Sequence, residues 1–361
     1  MIVMWLGGGL VLLIAGAELL VRGAARLSNI LRISPVIVGL TVVAYATGSP
    51  ELAVGIKAGF AGRAGIVVGN VVGSNIFNLL CVLGLAALIV PLSVRRRLIR
   101  LDVPILIGSC LAVWLLAAKQ WLRPWAGLVL LGGFVVYTFF LVTQGRLERV
   151  GDDSSDLLRK RGAGRSGPVV LLNIVFVAAG LGLLVVGAHW LVEGAAALAR
   201  WFGVSDLTIG LTVVAVGTSL PELAASVAAG IKGERDIAVG NAVGSSIFNL
   251  MAVLGAASMA AGERGIQVSA SALTFDFPVM LAAAVLCLPV FFTGVEISRS
   301  EGALLLFYYV LYVAHLVLHA GANEGLRYLD AAFWYVFLPL TLLILGFSIL
   351  HNRKLYGFRR G

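Results

Sequence analysis

The chain has 361 residues, of which 60% are hydrophobic and 12% are charged, and its mean hydropathy is +1.01. A soluble domain carries about 25% charged residues, so this composition excludes a water-soluble globule and predicts a polytopic membrane protein. The net charge of +9 does not indicate nucleic-acid binding, because membrane proteins accumulate Lys and Arg in their cytoplasmic loops. Cys81, Cys110 and Cys287 all lie in apolar runs, which predicts small buried side chains and no disulfides.

Apolar runs near the length needed to cross a bilayer recur along the whole chain. They predict eleven transmembrane helices, at 2–28, 34–60, 64–90, 99–118, 124–145, 168–199, 205–231, 236–261, 272–293, 301–319 and 332–351. With the N-terminus outside, the inside loops and tail hold 20 of the 27 Lys and Arg residues. This asymmetry predicts an N-out, C-in topology.

The chain contains an internal repeat. When the sequence is shifted by 171 residues, 28 of the 46 positions from 39 to 84 are identical to their partners without a gap. Each copy has five predicted spans. Because five is an odd number of membrane crossings, the second copy is predicted to enter the membrane in the opposite orientation. The predicted units are a first repeat at 1–145, a cytoplasmic loop at 146–167, a second repeat at 168–319, and an extra helix with a basic tail at 320–361.

Each repeat contains an apolar segment that breaks just before a glutamate. The segments are GLTVVAYATGSPE, residues 39–51, and GLTVVAVGTSLPE, residues 210–222. Pro50 and Pro221 have no N–H and disfavour helix at the preceding residue, which frees backbone carbonyls beside Glu51 and Glu222. An ionised carboxylate in the hydrocarbon region is expensive and normally functional. Carboxylates, carbonyls and hydroxyls together predict an oxygen-rich site that suits Ca²⁺ and that Na⁺ can share.

A polar stripe follows each glutamate. The stripes lie in GNVVGSNIFN (69–78) and GNAVGSSIFN (240–249), where an Asn, a Ser and a second Asn are spaced four residues apart. This spacing places Asn70, Ser74 and Asn78 on one helical face, and Asn241, Ser245 and Asn249 on another. The GxxxG pairs at Gly69 with Gly73 and at Gly240 with Gly244 predict close helix packing. By contrast, Glu18, which aligns with His189, and the span-opening Asp102 and Asp276 are expected at the membrane interface.

These motifs resemble the two α-repeats of the cation/Ca²⁺ exchanger superfamily, and GTSLPE with GNAVGSSIFN is similar to its sodium/calcium exchanger branch. The resemblance implies that Glu51 and Glu222 ligate Ca²⁺ with the carbonyls of Thr47 and Thr218. It also implies flanking Na⁺ sites, formed by Ser74, Ser245, Ser219 and the carbonyls of Ala44 and Ala215. The two central amides are those of Asn78 and Asn249. The first repeat departs from the pattern: Gly48 takes the hydroxyl position, and Ser49 comes one residue late as its candidate substitute.

The resemblance implies a secondary antiporter that exchanges Ca²⁺ for Na⁺ by alternating access in the cell inner (plasma) membrane. A Ca²⁺/H⁺ antiporter, in which the glutamates accept protons, is the close alternative, and a cation channel is a remote one. An intramembrane hydrolase is not indicated, because the sequence has no Ser/His pair and no HExxH motif. The expected partners are the transported ions and the lipid bilayer. No cofactor or nucleic acid is expected, and the oligomeric state stays open, a monomer being compatible with the sequence.

Overall fold

A computed structural model describes residues 2–31, 33–152, 167–202, 215–292 and 295–320, together with position 339. Within these residues, eight helices are long and apolar enough to cross a membrane, and a bent helix pair makes a ninth candidate. The protein is therefore a multi-pass membrane protein. The helices are α1 Ile2–Leu31, α2 Pro35–Thr47, α3 Ser49–Phe60, α4 Ala64–Ile89, α5 Leu98–Ala117, α6 Pro124–Asp152, α7 Gly167–Trp201, α8 Ala215–Gly217, α9 Leu220–Ile231, α10 Arg235–Ala260, α11 Ala272–Phe292 and α12 Arg299–Ala320.

Nine of the eleven predicted spans coincide with described helices, and their ends differ by only a few residues. The seventh predicted span, 205–231, is described from residue 215 onward. The eleventh, 332–351, and most of the loop at 146–167 lie outside the described residues. The expectation of a purely helical chain needs a small correction. Two-residue antiparallel strands pair β1 Leu92–Ser93 with β4 Glu296–Ile297, and β2 Trp121–Leu122 with β3 Ile266–Gln267.

The helices differ sharply in how deeply they are buried. In the most apolar windows of α4 and α10, 78% and 94% of the residues are buried, whereas the corresponding shares in α1 and α7 are 22% and 17%. The helices α4 and α10 therefore form the centre of the protein, and α1 and α7 lie at its periphery. Since α4 and α10 carry the two predicted polar stripes, those stripes lie on the two most deeply buried of the candidate spans.

The predicted break in the first repeat is confirmed. The helices α2 and α3 meet at Gly48 and are bent by 47° relative to each other. Pro50 removes the N–H that would have bonded the carbonyl of Ala46, and the Ser49 hydroxyl donates to that carbonyl instead, at 2.6 Å. In the second repeat, the equivalent break lies at Thr218 and Ser219, between α8 and α9.

The peripheral helices α1 and α7 pack backbone against backbone. A Cβ on Gly16 would lie 2.7 Å from the carbonyl oxygen of Gly180, and one on Gly187 would lie 2.9 Å from that of Gly9. Gly9 of α1 lies beside Gly187 of α7, and Gly16 lies beside Gly180, so the two helices are antiparallel. Glycine is required along this seam because any side chain would force the two backbones apart.

The helices α10 and α2–α3 also approach closely, but they run parallel. A Cβ on Gly244 would lie 2.7 Å from Leu40, and one on Gly59 would lie 2.5 Å from the carbonyl of Ala257. The GxxxG prediction is therefore confirmed for Gly240 and Gly244. For Gly69 and Gly73, the segment equivalent to α2 by the repeat is 206–214, which lies outside the described residues.

Asp102, which opens its predicted span, is enclosed by protein. Asp102 is fully buried at the end of a π-helical segment, Leu98–Asp102, where it accepts a hydrogen bond of 3.1 Å from Tyr137. Arg97 approaches it to 3.6 Å. Asp276 ends a similar segment in the second repeat and accepts a 3.0 Å bond from Tyr312. The acid at the start of each span is thus satisfied by a tyrosine on a neighbouring helix, which no local sequence pattern reveals.

Candidate cation site

The two glutamates occupy matched positions in the fold. Glu51 lies in the first turn of α3 and Glu222 in the first turn of α9, each directly after a proline. Both side chains are 0% exposed. A carboxylate in the first turn of a helix is favoured by the helix dipole, which offsets part of the cost of burying it. The helix breaks therefore place both charges where α4 and α10 meet.

One hydroxyl links the Glu51 carboxylate to the other repeat. Ser219 Oγ donates to Oε1 of Glu51 at 3.1 Å and lies 2.9 Å from Oγ of Ser74. Ser219 comes from the second repeat, whereas Glu51 and Ser74 come from the first. The predicted members Glu51, Ser74 and Ser219 thus form one hydrogen-bonded cluster across the repeat boundary.

A second pair of residues binds the repeats together more directly. Asn241 donates through Nδ2 to the carbonyl oxygen of Glu222 at 3.2 Å, and its Oδ1 accepts a 3.2 Å bond from Thr47. Asn70 makes the equivalent bonds, at 3.2 Å to the carbonyl of Glu51 and at 3.4 Å from Thr218. The sequence placed Asn70 and Asn241 on the polar stripes but did not count them as site residues. Their spacing from Ser74 and Ser245 was the available signal.

Several buried polar atoms at this site have no hydrogen-bond partner among the described residues. They are Oε2 of Glu51, both carboxylate oxygens of Glu222, and both side-chain amide atoms of Asn78 and of Asn249. Buried polar groups are almost always paired, so such a concentration needs an explanation. Carboxylate and amide oxygens are hard ligands, and together they can hold a Ca²⁺ or Na⁺ ion.

The remaining predicted residues divide into those at the site and those beside it. The carbonyl oxygen of Ala44 lies 3.4 Å from Oγ of Ser245 and 3.5 Å from Oγ1 of Thr47, so all three are brought together. The backbone of Ala215 lies in α8, at the second break. Ser49 is not brought to the carboxylates, because its hydroxyl is bonded to the carbonyl of Ala46.

The site is asymmetric at the position of Gly48, where the second repeat has a serine. Ser219 aligns with Gly48, so nothing equivalent to the Ser219 hydroxyl reaches Glu222. A Cβ on Gly48 would lie 2.8 Å from the ring of Phe248, which occupies that space. Phe248 is itself fixed by Tyr45 and Phe134, whose ring centroids lie 5.1 and 5.5 Å away. The Glu222 side of the site therefore has one hydroxyl fewer than the Glu51 side.

A cavity of about 190 Å³ leads toward the site along α7. It is lined by Pro50, Val185, Ala188, His189, Val192, Gly217, Thr218 and Pro221. These residues come from α7 and from both helix breaks. The cavity therefore gives access to the broken helices from one side of the protein.

Two buried glutamates, unpaired amide oxygens and broken helices inside a multi-pass membrane bundle define a membrane cation transporter. The sequence matches the family described as "Sodium/calcium exchanger protein" over residues 1–143 and 172–318. The chain belongs to this family, and the resemblance seen in the motifs is confirmed.

Relatives match nearly the whole chain. The sodium/calcium exchanger MaX1 of Methanosarcina acetivorans is 32% identical over 343 residues, covering 85% of this chain and 96% of MaX1. The inner membrane protein YrbG of Escherichia coli is 37% identical over 314 residues, covering 85% and 94%. Among solved structures, the sodium-calcium exchanger NCX_Mj soaked with Na⁺ and Ca²⁺ has a TM-score of 0.73 at 28% identity. That match covers 87% of this chain and 97% of NCX_Mj. No enzyme family is indicated by these matches.

Proposed function

We propose that the protein exchanges Ca²⁺ for Na⁺ by alternating access through one shared site between the repeats. The observation that carries the proposal is the set of unpaired oxygens around Glu51 and Glu222. Two carboxylates supply the charge that balances one Ca²⁺. Neutral hydroxyls and amides complete a set of oxygen ligands without adding further charge.

The same two charges explain why ions would be exchanged and not leak. A site with two ionised carboxylates and no cation is strongly unfavourable in a low-dielectric interior. The site therefore changes sides only when Ca²⁺ or several Na⁺ ions neutralise it. One ion species must then return for each load of the other, and this requirement couples the two fluxes.

The helix directions support two inverted five-helix repeats. The equivalent helices α1 and α7 are antiparallel along their glycine seam. The helix α10 runs parallel to α2–α3, which precede α4 and turn back into it, so α10 is antiparallel to its equivalent α4. We propose that α1 and α7 slide as one unit over the central helices, exposing the site to each side in turn.

The Lys and Arg distribution supports an N-out, C-in orientation with the eleventh helix included. In that orientation, the α7 cavity opens outward, because α7 ends outside at Trp201 and His189 precedes that end. The name of the relative YrbG, an inner membrane protein, supports placement in the inner or plasma membrane.

A Ca²⁺/H⁺ antiporter is the second candidate function, because unpaired buried carboxylates also accept protons. A cation channel is less well supported, since channel filters are usually built from several equivalent chains. The experiment that separates all three is Ca²⁺ uptake into proteoliposomes with a Na⁺ gradient or a pH gradient imposed separately. The variant Glu222→Gln tests the buried site. Its matched control is Glu263→Gln, at an exposed turn.

The proposal predicts Ca²⁺ uptake driven by an outward Na⁺ gradient, abolished by Glu222→Gln and retained in Glu263→Gln. Uptake driven by the pH gradient alone would show that the coupling ion is H⁺ and not Na⁺. Uptake down a Ca²⁺ gradient with no counter-ion would indicate a channel and contradict exchange.

A further inference from the structure

The internal repeat extends into the two peripheral helices and allows their surroundings to be compared position by position. With the same shift of 171, 12 of the 23 positions from 9 to 31 are identical to those from 180 to 202. Glu18 aligns with His189, and Val21 aligns with Val192. In a symmetric state, each member of a pair would have the same surroundings as the other.

The two members of the first pair have different surroundings. Oε1 of Glu18 lies 2.5 Å from Nζ of Lys232, immediately after the end of α9. The same oxygen lies 2.5 Å from Nε of Arg22, four residues along α1. His189, by contrast, lines the cavity beside Thr218 and Pro50, at the helix breaks. The α1–α7 unit is therefore displaced along the bundle, away from the position midway between the repeats.

Burial shows which side is closed. On α1, Ala17 and Val21 are 1% and 0% exposed. On α7, the equivalent Val192 is partly exposed and lines the cavity. The face of α1 that carries Glu18 is therefore packed shut against the bundle, and the matching face of α7 borders open space.

We propose that the Glu18–Lys232 ion pair is a latch that holds the α1 side closed and must break before that side opens. The residue equivalent to Lys232 is Ala61, which cannot pair with His189 or with any acid. Among the described residues, the α7 side therefore has no equivalent of this ion pair, and the protein favours the state that is open along α7. When the α1 side opens, Glu18 takes the position that His189 has here and adds a carboxylate to the ion path.

This inference rests on the alternating access proposed above but not on the identity of the ions. Lys232 joins the moving helix to the central bundle, whereas Arg22 moves with Glu18 on the same helix. Of the two ion pairs of Glu18, only the one with Lys232 would break when α1 moves. The side chains of Glu18 and Lys232 are 37% and 24% exposed. Because partly exposed ion pairs are weak, breaking this pair should shift the equilibrium between the two states only modestly.

The test measures how often the α1 side opens. A cysteine placed at Val21 reacts with a membrane-impermeant thiol reagent only when that side is open, and the native cysteines are buried. Lys232→Gln should raise the labelling rate of Val21→Cys about two- to fivefold. Arg22→Gln, the matched control, should leave the rate unchanged. Lys232→Glu should raise the rate further, and adding Glu18→Lys should reverse that increase.

An unchanged rate in Lys232→Gln, an equal change in Arg22→Gln, or a failure of the charge exchange to reverse the effect would overturn the latch. Na⁺-driven Ca²⁺ uptake in the same variants separates this outcome from a failure of the proposed function. If uptake persists and labelling does not respond, exchange stands and the latch fails. If labelling responds without Na⁺-driven uptake, the latch stands and the choice of ions is wrong.

Discussion

Thr47 and Asn241 come from opposite halves of the chain, and the Thr47 hydroxyl donates a 3.2 Å hydrogen bond to Oδ1 of Asn241. The amide nitrogen of the same asparagine holds the backbone carbonyl of Glu222. The break in one repeat is thereby tied to the acid-bearing helix of the other. Asn70 makes the equivalent link between Thr218 and the backbone of Glu51, so each break is hydrogen-bonded through an asparagine to the glutamate helix of the other repeat.

Asn70 and Asn241 are equivalent in sequence, but we expect them to contribute differently to the free energy of unfolding. Asn241 is fully buried and also donates to Ser226 at 2.9 Å, whereas Asn70 is only partly buried and has two partners. We expect Asn241→Leu to lower the free energy of unfolding by about 1–3 kcal/mol, because buried partners are left unpaired. Asn70→Leu should cost less. Thermal unfolding in detergent compares the two, and an equal loss would contradict this ranking.

Gly48 tests whether the missing hydroxyl matters. In Gly48→Ser the new Cβ would lie 2.8 Å from Phe248 and 3.0 Å from the carbonyl of Ala44. We expect this overpacking to cost about 1–3 kcal/mol of stability. In the double variant Gly48→Ser with Phe248→Leu, the hydroxyl has room beside Glu222, and the Na⁺ activation curve should shift more than the apparent affinity for Ca²⁺. Identical Na⁺ curves for the double variant and for Phe248→Leu alone would show that this hydroxyl has no role.

The glycine seam predicts a sharp contrast between neighbouring positions on α7. A Cβ on Gly180 would lie 2.5 Å from the backbone nitrogen of Leu20, whereas one on the exposed Gly182 would meet no described atom within 4 Å. Gly180→Ala should therefore lose about 1–3 kcal/mol of stability, together with transport, as α1 is pushed away. Gly182→Ala should be neutral or gain about 0.4–1 kcal/mol. The paired measurements are unfolding temperature and Ca²⁺ uptake, and equal behaviour would exclude a tight seam.

Each glutamate alone should be indispensable for transport. Glu51→Gln and Glu222→Gln each remove one of the two charges that balance Ca²⁺ while keeping the side-chain shape. We expect each variant to insert in the membrane and to lose Ca²⁺ uptake by a factor of about 100 or more, since breaking a buried charge pair costs about 3–5 kcal/mol. The check is proteoliposome uptake normalised to the amount of folded protein. Full activity in either variant would exclude a shared site.

The described spans and the helix breaks could be predicted from the sequence because both depend on local patterns. Apolar runs specify where α1, α4 and α10 begin and end, and the repeated proline–glutamate motif specifies the breaks. The family resemblance in the motifs placed Glu51 and Ser219 in one predicted site. Their side chains lie 3.1 Å apart.

Other features could not be read from local patterns because they depend on contacts between distant segments. The hydrogen bond to buried Asp102 comes from Tyr137, which lies 35 residues further along the chain. Ser49 looked like a substitute for the missing hydroxyl, but the Pro50 break gives it a nearer acceptor at Ala46. The displacement of α1 and α7, which separates the surroundings of Glu18 and His189, is a property of one conformational state and not of the sequence.

The most direct test of the shared site is equilibrium Ca²⁺ binding to the purified protein and to its two glutamate variants. One site built by Glu51 and Glu222 together predicts one high-affinity Ca²⁺ per chain in the parent. It also predicts loss of that binding in Glu51→Gln and in Glu222→Gln alike, with affinity weakened by a factor of about 100 or more. Binding of two Ca²⁺ ions by the parent, with one retained by each single variant, would show two independent sites and contradict the account.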